Sequence, residues 1–266
     1  MTSINQNVIP EFLNFADKLA NDTQKIALKY FRTKMSIDIK NDESPVTRAD
    51  REIETIMRTI IEKKYPHHGI IGEEFGSTNP ESEFIWALDP IDGTQSFITG
   101  KPLFGTLIAL LHQNQPIIGI INMPALNERW IGAKNNPTLF QGKPAMTRPC
   151  NQIYDAWLYA TSPHMFTSDN FQNFSVLQES VYRAVYGAEC QAYGFLASGW
   201  IDLVCEDTMK IYDYAALIPV IEGAGGVITD WNGLPLSKES NGTVLACGSE
   251  ILHQKSLSLL NRKTRY

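Results

Sequence analysis

The chain is poor in the residues that hold zinc or carry out redox chemistry. Its four cysteines, Cys150, Cys190, Cys205 and Cys247, are far apart and contain no Cys-x-x-Cys step. The expectation is therefore reduced, mostly buried thiols in a reducing compartment. Five histidines (His67, His68, His112, His164 and His253) show no metal-ligand spacing, so no zinc site is expected. No apolar run reaches the roughly 18 to 20 residues that cross a bilayer. Met1–Ile9 has neither the basic region nor the apolar core of a signal peptide. These absences lead us to expect a cytoplasmic protein with no membrane partner. Basic charge is also short: 23 Lys and Arg against 29 Asp and Glu leave a net charge of −6. Such a chain has no general field for drawing in nucleic acid. A phosphorylated ligand would have to meet positive charge locally, and a bound cation could supply it. Internal repeats and low-complexity segments are absent as well.

The 266 residues, 43% of them hydrophobic, are ample for a core without staples, as one large domain or two fused lobes. The first part of the chain reads as two helices and a sheet. Pro10–Phe31 carries a helical apolar stripe, with Pro10 in the first turn. Met35–Pro45 is polar and reads as a loop. Asp50 is expected to cap a second helix bearing Ile53, Ile56, Met57, Ile60 and Ile61 on one face. Glu83–Leu88 reads as a strand, Leu103–Leu111 and Gln115–Met123 as a hairpin, and Arg129–Ala133 with Thr138–Phe140 as another. The expected fold class is α+β here: an antiparallel sheet packed on two helices. Strands and helices alternate further on, at Ala156–Ala160, Ser168–Glu179, Cys190–Ser198, Ile201–Cys205, Asp213–Ile221, Val227–Thr229, Val244–Cys247 and Ser249–Leu260. That alternation indicates an α/β lobe. The change of pattern near residues 145–155 divides the chain into 1–150 and 151–266.

Chemistry concentrates at Trp86-Ala87-Leu88-Asp89-Pro90-Ile91-Asp92-Gly93-Thr94. An apolar strand delivers two carboxylates, three positions apart, into a turn that ends in a hydroxyl. Hard oxygens on a rigid turn suit Mg²⁺, which shares its remaining positions with water and phosphate. An ordinary turn would use the same Asp, Pro and Gly. Two further acids also stand where the chain leaves apolar segments: Glu73, after Ile70-Ile71-Gly72, and Asp213. Alone, Glu73 and Glu74 read equally well as a solvated pair, and Asp213 reads as an N-cap.

Three signatures together resemble the inositol monophosphatase family of Mg²⁺-dependent, lithium-sensitive phosphatases. They are Gly72-Glu73-Glu74, Trp86-x-x-Asp89-Pro90-Ile91-Asp92-Gly93-Thr94, and Tyr212-Asp213-x-Ala215-Ala216 leading to Glu222-Gly223-Ala224-Gly225-Gly226. The resemblance covers nearly the whole chain and implies a layered αβαβα sandwich and a homodimer. It assigns Glu73, Asp89 and the Ile91 carbonyl to one metal, Asp89, Asp92 and Asp213 to a second, and a weak third ion near Glu73. Mg²⁺ at two or three per site is thus the implied cofactor. Thr94 and Asp50 match the pair that orients the attacking water, Gly93 and Thr94 would offer N–H groups to phosphate, and Lys40 lies in a mobile loop that closes over the site. The catalytic set is Thr94, Asp50, Glu73 and Asp92, and the implied reaction is in-line attack by water on a small phosphate monoester.

The residues after the turn, Gln95 to Leu110, look like the histidinol-phosphate phosphatase branch, as do Glu128-Arg129-Trp130, Tyr186-Gly187-x-x-Cys190-x-x-Tyr193 and Leu217-Ile218-Pro219. Two positions depart from that branch: Gln95, where a basic residue is typical, and Glu189, where Asp is expected. A substrate with an ammonium group needs an anion away from the metals, and Glu189 and Glu206 are the candidates. Arg183 would touch phosphate or a neighbouring subunit. The alternative substrates are inositol-1-phosphate and sugar phosphates, and the alternative of a different class is a non-catalytic regulatory partner.

Overall fold

The computed structural model describes residues 8–34, 37–39 and 45–262. The first apolar stripe forms α1 (Ile9–Tyr30), which buries Phe12, Ala16, Leu19 and Ala27. Where a loop is expected after it, β1 (Ile37–Ile39) and β2 (Pro45–Thr47) pair antiparallel, with Ile37 opposite Thr47. The alternation Ile37-Asp38-Ile39 is the strand signal hidden in that polar stretch. Lys40 lies outside the described residues. In α2 (Arg48–Lys64) the cap is Thr47 rather than Asp50. Thr47 Oγ1 accepts the Ala49 N–H at 3.1 Å, and Asp50, at the third helical position, accepts the Thr47 N–H at 2.9 Å. The pair Thr47-x-x-Asp50 thus closes a capping box, with Asp in the place usually filled by Glu or Gln.

The first sheet contains β3 (Gly69–Gly72), β4 (Gly76–Thr78), β5 (Phe84–Asp92), β6 (Gly105–His112), β7 (Gln115–Met123), β8 (Glu128–Ala133), β9 (Asn136–Phe140) and β10 (Lys143–Pro144). Its spatial order is β10-β9-β8-β7-β6-β5-β3-β4. Every neighbouring pair is antiparallel except β3 and β5, which run parallel. A five-residue helix, α3 (Thr94–Ile98), follows β5.

The second sheet is mixed. It contains β11 (Trp157–Ala160), β12 (Arg183–Tyr186), β13 (Leu203–Glu206), β14 (Val227–Thr229) and β15 (Val244–Cys247), in the order β12-β11-β13-β15-β14. Strand β11 is parallel to both β12 and β13, whereas β15 is antiparallel to β13 and β14. The helices of this half are α4 (Ser168–Ser180), α5 (Gln191–Ala197), α6 (Ile211–Tyr214), α7 (Leu217–Gly223) and α8 (Glu250–Leu260). The single helix expected over Asp213–Ile221 is thus two, broken at Ala215-Ala216.

Helices α1 and α2 cover one face of the first sheet; α5, α6 and α7 fill the space between the sheets; α4 and α8 cover the far face of the second. This is the αβαβα sandwich. Period-two alternation along β5 sorts its side chains: Trp86 and Leu88 enter the core under α1 and α2, while Ile85 and Ala87 enter the core of the middle layer. Each such large apolar side chain contributes on the order of 1.5–3 kcal/mol when buried. The middle helices sit close because β7 carries Gly119, where a Cβ would lie 1.9 Å from the Ala216 carbonyl oxygen.

Candidate active site

Two sets of parallel strands end at the same cleft. From the first sheet, β3 leads into Glu73 and β5 ends at Asp92; from the second, β11 leads into Thr161, β12 into Gly187 and β13 ends at Glu206. Strand carboxyl ends are the usual place for a ligand in open sheets of this kind. The cleft there is about 830 Å³, lined by Glu73, Asp92, Gly93, Thr94, Gln95, Ser96, Lys101, Thr161, Ser162, His164, Gly187 and Glu189 among others.

The turn after β5 is built from its sequence. Pairing of β5 with β6 is interrupted between Asp89 and Asp92, where Pro90 has no N–H to give. The Pro90 carbonyl instead accepts the Thr106 hydroxyl at 2.9 Å. Gly93 follows in the left-handed region, at φ +81°, and a Cβ there would lie 2.7 Å from Glu189 Cγ. Both facts call for glycine. The Thr94 hydroxyl stands 3.1 Å from the Ile91 carbonyl oxygen and 3.5 Å from Asp50 Oδ1. The predicted Thr94–Asp50 pair is therefore brought together across 44 residues of chain. Asp50 is fully buried, and burial raises its carboxyl above the usual range against the lowering effect of its bonds to Thr47.

Four carboxylates converge on the turn. Asp89 is 2% exposed, and its Oδ1 has no hydrogen-bond partner among the described residues. Burial holds its carboxyl well above the ordinary range, and the charges of Glu73, Asp92 and Asp213 add to the effect. Asp92 is pushed up to about 7, by burial first and by Glu189 second, although the Cys190 N–H donates to its Oδ2 at 2.7 Å. Asp213, the third residue of α6, accepts the Lys210 N–H at 2.6 Å and is held well above the usual range by burial. Among the described residues, no group of three or more His, Cys, Asp or Glu side chains is arranged to hold a metal ion as it stands. The donor set nonetheless fits a hard divalent cation. It is all oxygen, and it includes a buried carboxylate oxygen with nothing to accept from.

On the other wall, the structure gives the remaining candidates different roles in packing. Glu189 is 8% exposed; its Oε1 accepts the Ser96 hydroxyl at 2.6 Å and lies 3.8 Å from Lys101 Nζ. Glu206 is buried under the cleft and accepts the Thr161 N–H at 2.9 Å, the Thr161 hydroxyl at 2.6 Å and the Tyr193 hydroxyl at 2.8 Å. Arg183 is not brought to the cleft. It begins β12, four residues before Gly187, which in an extended strand is roughly 13 Å away. There its guanidinium covers the Tyr182 ring.

Sequence reasoning missed the braces. Glu54, fully buried in α2, pairs with Arg58 at 2.8 Å and accepts the Glu74 N–H at 2.7 Å and the Phe75 N–H at 3.2 Å. It thereby fixes the turn that carries Glu73. Its i, i+4 spacing to Arg58 was the available signal, although that spacing usually marks a surface pair. Ser96, Lys101 and the Cys190 N–H are the other missed positions, and nothing local in the sequence marks them.

The model of the inositol monophosphatase family matches residues 9–265. The bifunctional phosphatase IMPL2 of Arabidopsis thaliana, described as chloroplastic, is 44% identical over 268 residues, covering 97% of this chain and 78% of the relative. The histidinol-phosphatase of Chlorobaculum parvum is 32% identical over 237 residues, covering 88% of this chain and 91% of the relative. Among solved structures, an inositol monophosphatase from Zymomonas mobilis matches at a TM-score of 0.88 and 42% identity, covering 95% of this chain and 98% of that one.

Proposed function

The chain belongs to the inositol monophosphatase family, phosphoric monoester hydrolases, and we propose that its substrate is histidinol phosphate, hydrolysed with Mg²⁺ by in-line attack of water. The observation that carries the substrate assignment is Glu189, a nearly buried carboxylate lining the cleft beside the four-carboxylate turn. An ester carrying an ammonium group has a use for that anion. The histidinol-phosphatase names among the relatives support the same reading. Mg²⁺ held by Glu73, Asp89, the Ile91 carbonyl, Asp92 and Asp213 would neutralise the phosphate dianion, acidify the attacking water and stabilise the leaving alkoxide.

The chain's own groups do the rest. Thr94, set between Asp50 and the Ile91 carbonyl, orients the water and passes its proton to Asp50, whose raised carboxyl favours the protonated form. The N–H groups of Gly93 and Thr94 face the phosphate oxygens. Glu206 positions Thr161 at the cleft wall rather than touching substrate. Arg183, beside exposed Tyr182 and Trp157, contacts a second copy in a homodimer.

A second reading, inositol-1-phosphate, is favoured by Lys101, which already stands against the charge of Glu189 and makes that wall acceptable to a neutral polyol. Phosphate release from histidinol phosphate, inositol-1-phosphate and adenosine 3′,5′-bisphosphate, with Mg²⁺ and with EDTA, separates the readings. We expect the highest kcat/KM on histidinol phosphate and none in EDTA. Preference for the inositol ester would overturn the substrate, and turnover in EDTA would overturn the mechanism.

A further inference from the structure

Lys101 enters the cleft from the segment that ends α3, where its N–H donates to the Ser96 carbonyl at 2.8 Å. Its side chain crosses to the other half of the molecule. There Nζ donates to the Gly187 carbonyl and lies 3.8 Å from Glu189 Oε1. A Cβ on Gly187 would lie 2.7 Å from that ammonium, so Lys101 rests directly on the main chain. The Ser96 hydroxyl is on the same carboxylate oxygen, and Glu189 Oε2 takes part in neither contact. The Glu189 side chain is 8% exposed and the Lys101 side chain 40%. A nearly buried anion thus has a resident cation that is itself half in solvent. A lone carboxylate held so far from water is unfavourable, which explains the need for a counter-ion. A lysine on a flexible four-carbon stem is a partner that can leave.

We infer that Lys101 is a specificity-determining residue: a built-in counter-ion of Glu189 that a substrate ammonium must displace, so that it sets the balance between cationic and neutral phosphate esters. This rests on the reading of the cleft as a phosphate-ester site. A cationic ester gains Glu189 only after the lysine has moved off, whereas a neutral ester binds beside the intact pair. The residue therefore penalises cationic substrates without touching the reacting phosphate.

The test compares the Mg²⁺-loaded wild type with Lys101→Gln, which keeps a donor for Gly187 and removes the charge. KM and kcat are measured for phosphoethanolamine and for glycerol 2-phosphate, together with inhibition of the glycerol ester by ethylammonium. In Lys101→Gln we expect KM for phosphoethanolamine and Ki for ethylammonium to fall about three- to fivefold, the scale of a half-exposed ion pair. We expect KM for the glycerol ester to rise modestly, because the bared Glu189 charge then faces a neutral ester, with the two kcat values changing in parallel. In a Glu189→Gln background, Lys101→Gln should no longer change the ratio of the two esters. Equal change in both esters, or a rise in KM for phosphoethanolamine, overturns the inference, as does loss of both activities with a lowered melting temperature. If the wild type hydrolyses neither ester nor histidinol phosphate, the reading of the cleft as a phosphate-ester site falls with it. If it hydrolyses both and the ratio does not move, only the role of Lys101 falls.

Discussion

Two groups of carboxylates, one gathered at the cleft and one spread along the second sheet, differ in what surrounds them. In the first, the charges of Glu73, Asp92 and Asp213 add to burial in raising the Asp89 carboxyl, and Asp89 Oδ1 has no partner among the described residues. Glu206, Asp202 and Asp207, from the second sheet and its flank, are saturated. Asp202 takes Arg148 through two nitrogens at 2.7 Å and the Trp157 N–H at 2.8 Å. Asp207 takes the Thr167 N–H at 2.9 Å and the Asn170 amide at 2.9 Å. The first group is costly to the fold on its own and is suited to a ligand that brings positive charge. The second group is part of the fold.

The largest test of that difference is Asp92→Asn. Turnover should fall by roughly a thousandfold or more, in phosphate release with saturating Mg²⁺. In EDTA its melting temperature should match or exceed the wild type, because one of several mutually repelling groups is gone. Near-normal turnover would break the comparison. Next in size, Glu206→Ala should cost about 2–3 kcal/mol in urea unfolding, because the buried Tyr193 hydroxyl and two donors of half-buried Thr161 lose their acceptor. Asp89→Asn in EDTA should cost nothing; the reverse order would show that the two groups had been mistaken for one another. Mg²⁺ at ten times its Kd should stabilise the wild type by about 1.4 kcal/mol and Asp89→Asn far less.

The smallest effect concerns pH. A carboxyl raised in the folded state binds protons that the unfolded chain releases, so in EDTA the Asp92 group adds stability as pH falls through about 7. His68 works in the opposite direction. Burial lowers it from 6.5 to about 4, and its neutral ring accepts the Trp86 indole N–H at 3.1 Å. The stability it contributes is complete above pH 6.5 and is lost as pH falls from there toward about 4, by about 1 kcal/mol for a partly exposed ring. Calorimetry across pH 4–8 should show Asp92→Asn losing the first slope and His68→Gln the second.

The carboxylates of the cleft were legible where they close an apolar segment, as Asp89 and Asp92 do at the end of β5. The strand and helix periods were legible for the same reason: they report burial. What could not be read is support that crosses the chain. Glu54 braces Glu74 from twenty residues away and Ser96 reaches Glu189 across 93 residues, and neither carries a local pattern. Capping was misassigned by three residues because Thr47 and Asp50 share one box. Of the two roles expected for Arg183, contact with phosphate is not met, because the short edge strand it begins points its other end to the cleft.

The order of strands in the second sheet has a consequence for synthesis. Strand β15, the last in the chain, lies in the interior, between β13 and β14. A ribosome making this protein releases both neighbours before the strand that joins them. Until Val244–Cys247 emerges, β13 lacks the partner on its far side and β14 has no place in the sheet. The helix α5, whose Cys190 N–H steadies Asp92, packs against β13 and so rests on an unfinished layer. The first sheet can close while the chain is growing, but the cleft is completed only when β15 is inserted, so activity should appear only once Val244–Cys247 has left the ribosome.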